Sequence, residues 1–405
     1  MSRDSGRQAD TVSRRKYLLT SAAVGAAGLA GCSGDSGNNS GGDGGDGSDG
    51  SDGSDGSDGS DAQGESEEAD STESESVSTA TVTAEGSSTV YPISNKGSSY
   101  WNSNSPASDG EYWGSNSESS VAGWDQIETD MNIADYFASL YGFEPSGERS
   151  NPPFATRVAL SHSGTGCEAV RDGLVDIGNS SGPITAELDI SEEERDENYV
   201  DHVVGRDGQP VFVSQAIYDA GVEQLTGEQI RGIYQGDITN WSEVGGPDQE
   251  IYVVGRAEGS GTDTSFRLNM LGDADAPMDV DSRFGQNQQV QQVLQDNDNA
   301  IGYMALAFSG SGIQAIGIEF EGTLFEPDAD AENTIFDSEY PLNRDLHMYT
   351  RINDETPDGT DMREAAFLNM FLTEFGQQTF VEDVNYITLP TSDIEAEREK
   401  LPDQA

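Results

Sequence analysis

With 405 residues the chain has the length for two or three domains, but its first part is built from Gly, Ser, Asp and Glu, which leaves two as the better count. Its 75 acidic against 20 basic residues give a formal charge of −55. A field of that sign repels nucleic acid and anionic lipid, excludes DNA and RNA as partners, and slows an anionic ligand unless salt screens it. Acid continues through the segments from Asp189 onward, so the balance is not one acidic tail; it resembles the solubility strategy of a halophile's protein.

In chain order, Ser13-Arg14-Arg15-Lys16-Tyr17-Leu18-Leu19 is a twin-arginine pattern. The apolar, small-residue run from Leu18 to Ala30 is shorter than the roughly 20 residues of a spanning helix. Leu29-Ala30-Gly31-Cys32 resembles a lipobox, so residues 1–31 read as a lipoprotein signal and Cys32 as the lipid-bearing N-terminus. An uncleaved signal anchor is the alternative; in both cases the mature part lies outside the cytoplasm, tethered to the outer face of the membrane. A disulfide between Cys32 and Cys167 does not fit a modified Cys32. Residues 32–78, with Ser-Asp-Gly repeated through 47–61, read as a flexible, self-repelling linker. The repeats lack the apolar position that a calcium-binding β-roll needs, and no cofactor or metal is expected.

The globular part is expected over 79–390, with a polar tail at 391–405. Ala80–Ala84 alternates as a strand and runs into Gly86-Ser87-Ser88-Thr89-Val90-Tyr91-Pro92, a hydroxyl-rich turn able to open a helix whose N–H groups face an anion, or to serve as a plain N-cap. A Trp-rich insert, about 95–130, carries Trp101, Trp113 and Trp124, aromatics that argue for packing. Ile133, Phe137, Leu140 and Tyr141 have helical spacing. Val158–Leu160 predicts a strand, Ser161-His162-Ser163-Gly164-Thr165-Gly166 a turn and Cys167–Arg171 a short helix stopped by Gly173; Val175–Ile177 is a strand ending in the polar turn Gly178–Pro183. This is βαβ grammar, with loops at the strand ends where open α/β sheets bind ligands. Pro210–Tyr218 predicts a strand, Leu225–Tyr234 a helix capped by Thr226 and Gln229, Val290–Leu294 a helix and Ala300–Met304 a buried strand. Asp361–Phe375 places Phe367, Phe371 and Phe375 on one helix face with Leu368 and Leu372 beside them, a core stripe.

Ile251–Phe266 (IYVVGRAEGSGTDTSF) stands out among these. A β-branched strand ends at Gly255, Arg256 supplies a planar fork of donors, and Gly259 and Gly261 let backbone N–H groups turn toward one point. The spacing is neither that of a nucleotide P-loop nor of a dinucleotide turn. Alone, the loop would also serve as a tight connection with its arginine in a surface ion pair.

Four stretches in this order, GSSTVYP from Gly86, SGTG with VDIGNSSGP between Ser163 and Pro183, LTGEQIRGIYQGDITNW from Leu225 and GRAEGSGT from Gly255, resemble the periplasmic phosphate-binding protein of the phosphate ABC importer. AIGYMALAFS from Ala300 and Tyr340-Pro341-Leu342-Asn343-Arg344 are similar too, so the resemblance covers most of Val82–Pro390 outside the Trp-rich insert. It implies a two-lobed α/β fold of the periplasmic-binding-protein type, with lobe 1 at about 79–182 plus 305–390, lobe 2 at about 183–304, and the ligand closed between them by a hinge. It also implies a phosphate site made of Ser88, Thr89, Ser163, Ser181, Arg256, Ser260, Gly261 and Thr262, with Arg256 its sole positive group. Its implied partners are inorganic phosphate and the permease and ATPase subunits of an importer; the protein itself is expected to be monomeric. Family members often carry an aspartate where this chain has Ser181, a group that accepts the proton of hydrogen phosphate and repels sulfate. Serine both donates and accepts, which weakens that discrimination, and Glu258 or Asp263 is the candidate replacement. Phosphate stands ahead of sulfate, molybdate or tungstate.

An enzyme would need more than the sequence offers. His162 adjoins Ser163, but SHSGTG is not the GxSxG of a nucleophile elbow, and His202 and His347 lack metal-ligand spacing. Cys167, at a helix start, suits either a lowered pKa or a small buried role. A cell-surface adhesive protein would suit the lipidated linker and the tryptophans, but leaves the hydroxyl-rich turns and their arginine unexplained.

Overall fold

The computed structural model describes residues 78–106, 109, 127, 129–353 and 359–405; the signal, Cys32, the linker through residue 77, Trp113 and Trp124 lie outside the described residues. The chain begins with β1 (Val82–Gly86), α1 (Tyr91–Ser103), α2 (Ile133–Ser139), β2 (Thr156–Leu160), α3 (Ser163–Arg171), β3 (Ile177–Ser180), α4 (Ile184–Leu188), α5 (Glu192–Asn198) and β4 (Tyr199–Asp207). It continues with β5 (Val211–Ser214), α6 (Gln215–Asp219), β6 (Gln224–Thr226), α7 (Gly227–Tyr234), β7 (Tyr252–Arg256), α8 (Gly261–Phe266), β8 (Ser282–Phe284), α9 (Asn287–Asp296) and β9 (Ala300–Tyr303). β10 (Ile313–Ala315), β11 (Gly317–Phe320), β12 (Thr323–Phe325), β13 (Arg344–Arg351), α10 (Met362–Phe371), α11 (Glu374–Gly376) and α12 (Thr391–Arg398) complete it.

Two five-stranded sheets organise the lobes, in the orders β2-β1-β3-β13-β4 and β10-β5-β9-β7-β8, and β12-β11-β6 forms a smaller third. β1 pairs parallel with both β2 and β3, so the three loops that follow these strands leave the same sheet edge side by side. β7 lies parallel between β8 and β9 and carries its own loop in the same way. β3 and β9 are buried at every position, as central strands covered on both faces require. In the first lobe Trp101 packs edge-on to Phe367 at 5.7 Å, and Phe367 to Phe371 at 5.0 Å. The Phe stripe of α10 is therefore core; in the second lobe Tyr303 stacks on Phe266 with ring centres 3.8 Å apart.

Several expectations shift. β4 pairs antiparallel with β13 in the first sheet, so the chain crosses to the second lobe after Asp207, not at 182. β10 to β12 sit with the second and third sheets, which moves the return crossing from 305 to between Phe325 and Arg344. Long-range pairing decides both points, and local pattern does not register it. The strand expected to reach Tyr218 stops at Ser214, where the buried face changes from every residue to Ile217 alone and α6 begins. Trp101, expected within an insert, belongs to α1, fully buried, with its indole N–H donated to the Phe154 carbonyl at 2.7 Å. Cys167 is a small buried residue whose thiol is pushed up by burial, the opposite of an activated thiolate. No helix among the described residues is long and apolar enough to cross a membrane.

Candidate functional site

β1, β2 and β3 are in parallel register in one sheet, and β7 is parallel to β8 and β9 in the other, so the residues at and just past their C-terminal ends are fixed in place. The turn after β1 brings Ser87, Ser88 and Thr89, the β2–α3 junction His162 and Ser163, the turn after β3 Ser181, and the β7–α8 junction Arg256 and Ser260 to Thr262. The hydroxyl residues and the arginine are all buried, Arg256, Thr89 and Ser181 completely. The first three loops meet the fourth directly: Gly164 donates its N–H to the Gly259 carbonyl at 3.1 Å, Thr89 and Thr262 hydroxyls lie 3.0 Å apart, and the Ser265 hydroxyl donates to the Ser181 carbonyl at 2.7 Å. Gly259 needs its freedom because φ is +75°. Gly261 needs to be glycine for a different reason: a Cβ there would stand 2.3 Å from Ser163 Oγ and 2.8 Å from Ser181 Oγ. Ser260 precedes α8, and its carbonyl accepts the Asp263 and Thr264 N–H groups at 2.7 and 3.0 Å, which leaves the N–H groups of Gly261 and Thr262 outside the helix's own bonds. The eight residues expected from sequence thus converge on one place.

Arg256 donates Nε to the Phe284 carbonyl at 3.1 Å, Nη1 to Asn287 Oδ1 at 2.5 Å, and Nη2 to the Gly285 carbonyl at 2.7 Å and Ser88 Oγ at 3.2 Å. No ion pair among the described residues includes it. Its pKa is lowered to about 10, by burial first and by nearby Arg344, against the opposing pull of Tyr303 and Asp263, so it remains a cation at neutral pH. With four N–H bonds already directed to neutral groups, the guanidinium presents less of an open fork than expected and acts through Ser88 and Asn287.

It is not the sole positive group. Arg344, at the start of β13, donates Nε and Nη2 to Asp207 Oδ2 at 3.0 and 2.6 Å. The same guanidinium reaches the carbonyls of Ser181 (3.2 Å) and Gly261 (3.1 Å) and the hydroxyls of Thr262 (3.2 Å) and Thr89 (3.4 Å). Asp207 also accepts the Leu306 N–H at 2.8 Å. Arg344 was in view within the YPLNR stretch; Asp207 and Asn287 carried no sequence signal. Asp263 is engaged elsewhere, ion-paired to Arg267 at 2.8 Å and hydrogen-bonded by the Tyr303 hydroxyl, and Glu258 is exposed, so neither faces the hydroxyl cluster as a ready replacement for an aspartate at Ser181. A nearer carboxyl is Glu187 of α4, packed against Gly164 and Gly182 and raised by burial to about 7.

The histidines divide. His162 lies against Gly285, and burial followed by Arg256 lowers its pKa. His202 is buried and held neutral by burial, near 3, beside Thr360. His347 pairs with Asp201 at 2.8 Å.

A model of the PBP superfamily domain matches residues 115–375. The phosphate-binding protein PstS of Bacillus subtilis is 30% identical over 254 residues, covering 62% of this chain and 75% of that protein. Phosphate-binding protein PstS of Pseudomonas aeruginosa PAO1 is 26% identical over 277 residues, 65% of this chain and 81% of that protein. Among solved structures, one described as a phosphate ABC transporter substrate-binding protein from Clostridium perfringens, with bound phosphate, has a TM-score of 0.53 at 21% identity, covering 76% of this chain and 100% of that one. An ABC-type phosphate transport receptor from Vibrio cholerae has a TM-score of 0.50 at 22% identity with the same coverage, 76% and 100%. These two likenesses are of fold; with the family match and the Bacillus relative, they make this chain a member of the phosphate-binding-protein family of the PBP superfamily.

Proposed function

We propose that the protein captures inorganic phosphate outside the cytoplasm and delivers it to the permease and ATPase subunits of an ABC importer, with no reaction of its own. The observation that carries this is Arg256: a fully buried guanidinium whose partners are carbonyls, an amide and a hydroxyl, with no carboxylate among them. A desolvated cation of this kind is stabilised by an anion brought in from outside. The buried hydroxyls of Ser88, Thr89, Ser163, Ser181, Ser260 and Thr262, with the backbone at Gly261, supply the short donors that such an anion needs. Local donors, not bulk positive charge, hold it, which reconciles an anion ligand with a chain charge of −55. The names carried by the relatives support phosphate as that anion.

A hydrolase reading has little support. Ser163 Oγ accepts the Ser181 N–H at 3.2 Å, while the His162 ring lies against Gly285 and not on the serine as a base would. Export by the twin-arginine pattern and a lipid on Cys32 complete the proposal, with a monomer tethered by its acidic linker to the outer face of the membrane. Calorimetric titration of the purified protein in high salt tests the ligand. One tight phosphate site is expected; heat with sulfate or tungstate and none with phosphate would sink the assignment.

A further inference from the structure

We propose that Asn287 is a positioning residue that sets the polarity of the anion pocket, turning Ser88 and Thr89 into obligatory donors and confining proton-accepting capacity to the opposite side, at Ser163 and Ser181. This rests on the oxyanion reading above and deepens it, because it states which protonation form each wall of the pocket recognises.

The amide orientation of Asn287 is unambiguous. Its Oδ1 faces Arg256 Nη1 at 2.5 Å and the Ala305 N–H at 3.1 Å, both groups that only donate. Nδ2 must therefore be the side that donates to Ser88 Oγ at 3.2 Å and Thr89 Oγ1 at 3.3 Å. Asn287 is fully buried at the start of α9 in the second lobe, and both hydroxyls belong to the first, so the contact also spans the lobes.

A hydroxyl has two acceptor lone pairs and one proton. Ser88 Oγ accepts from Asn287 and from Arg256 Nη2, and Thr89 Oγ1 accepts from Asn287 and from Arg344 Nη2, so each retains only its proton to offer. Thr262 Oγ1 accepts from Arg344 and lies 3.0 Å from Thr89; because the Thr89 lone pairs are taken, Thr89 gives its proton to Thr262, and the Thr262 proton is the one this pair turns outward.

The other wall differs. Ser87 Oγ accepts the N–H groups of Thr89 and Val90 and so donates to Ser181 Oγ at 2.9 Å. Ser181 Oγ accepts that one bond, Ser163 Oγ accepts one from the Ser181 N–H, and the two hydroxyls lie 3.5 Å apart, so that whichever of them donates to the other, the pair keeps one lone pair and one proton. Glu187 packs behind this same wall, against Gly164 and Gly182. The ionisable groups that act on Arg256 at the Asn287 wall are Tyr303, Arg344, Asp263 and Tyr386, and His162 lies beside it. Oxygens of the ligand that face Ser88 and the Thr89–Thr262 pair are thus bare, and any proton it carries points to the lone pair left on the Ser163–Ser181 pair. The ligand class that fits is a tetrahedral dianion with at most one proton on that side.

Asn287→Asp reverses the wall. One carboxylate oxygen still receives Arg256 and Ala305, but the other accepts from Ser88 and Thr89, so lone pairs face the ligand in place of protons. With phosphate and sulfate as the two probes, calorimetry should show sulfate affinity falling more than phosphate affinity, so that their ratio rises roughly 10- to 100-fold. Asn287→Ala, which removes donors and adds no acceptor, should lower both anions alike. A second pair leaves Asn287 untouched: Ser88→Ala should weaken both anions by one factor, while Ser181→Ala should weaken phosphate more than sulfate. An unchanged ratio in Asn287→Asp overturns the assignment, as does a ratio that moves with Ser88→Ala and stays fixed with Ser181→Ala. Absence of heat from the unsubstituted protein with either anion would instead strike the oxyanion reading itself.

Discussion

Arg256 and Arg344 reach neighbouring hydroxyls from the two main sheets, and the chain treats their charges in opposite ways. Arg344 is matched by Asp207, a completely buried carboxylate, and its remaining N–H groups tie the carbonyls of Ser181 and Gly261 to the threonines. Arg256 has carbonyls and an amide in place of a carboxylate. Removing a cation from water costs several kcal/mol, and only a well-placed opposite charge recovers it. A matched arginine is therefore a strut, whereas an unmatched one in the same low-dielectric cluster is poised toward a ligand.

The largest effect that would break this contrast is on affinity. Arg256→Met should cost roughly 5 kcal/mol of phosphate binding, a several-thousand-fold loss, because the ligand is left without its one uncompensated partner. In anion-free buffer the same substitution should leave the melting temperature unchanged or raised, since an unpaired buried charge has gone. Retained affinity in titration would place the ligand elsewhere. Asp207→Asn makes the opposite experiment by turning Arg344 into a second unmatched cation. Chemical denaturation should show about 3 kcal/mol lost in anion-free buffer, with part of the loss recovered on adding phosphate. Equal losses with and without phosphate would mean that Arg344 does not sense the ligand.

The difference between the two arginines also marks how far the sequence could be read. Arg256 was visible because its neighbours in the chain, a β-branched strand and a glycine turn, form a local signature. The capping box of α7 was equally local, and Thr226 and Gln229 exchange their bonds as their spacing predicts, at 3.1 and 2.8 Å. The partners of those loops are not local. Asn287 meets Ser88 across 199 residues and Arg344 meets Thr89 across 255, and neither stands in a pattern that announces a hydroxyl partner. The lobe crossings failed to show for the same reason. β4 reads as a strand from its own residues, but only its register against β13 assigns it to the first sheet.

A third way of handling a buried charge sharpens the contrast, and it predicts the smallest effect. Glu364, on the first turn of α10, is pushed up to about 8 by burial and by its neighbour Asp361, so it is largely neutral inside the fold at neutral pH. It still completes the helix cap, accepting the Asp361 N–H on Oε2 at 2.8 Å. Because the folded state holds this proton more tightly than the unfolded chain does, its contribution is fully present below about pH 4.5 and is lost as pH rises toward about 8. Glu187, raised to about 7, titrates with the same sign. Glu364→Gln keeps the acceptor and removes the proton, so it should reduce the fall of stability with pH, by at most about 1.4 kcal/mol per pH unit. Denaturation curves at several pH values read this directly. A variant whose stability falls with pH in parallel with the unsubstituted protein would show that Glu364 is ionised inside the fold, with nearby Arg363 balancing it as Asp207 balances Arg344.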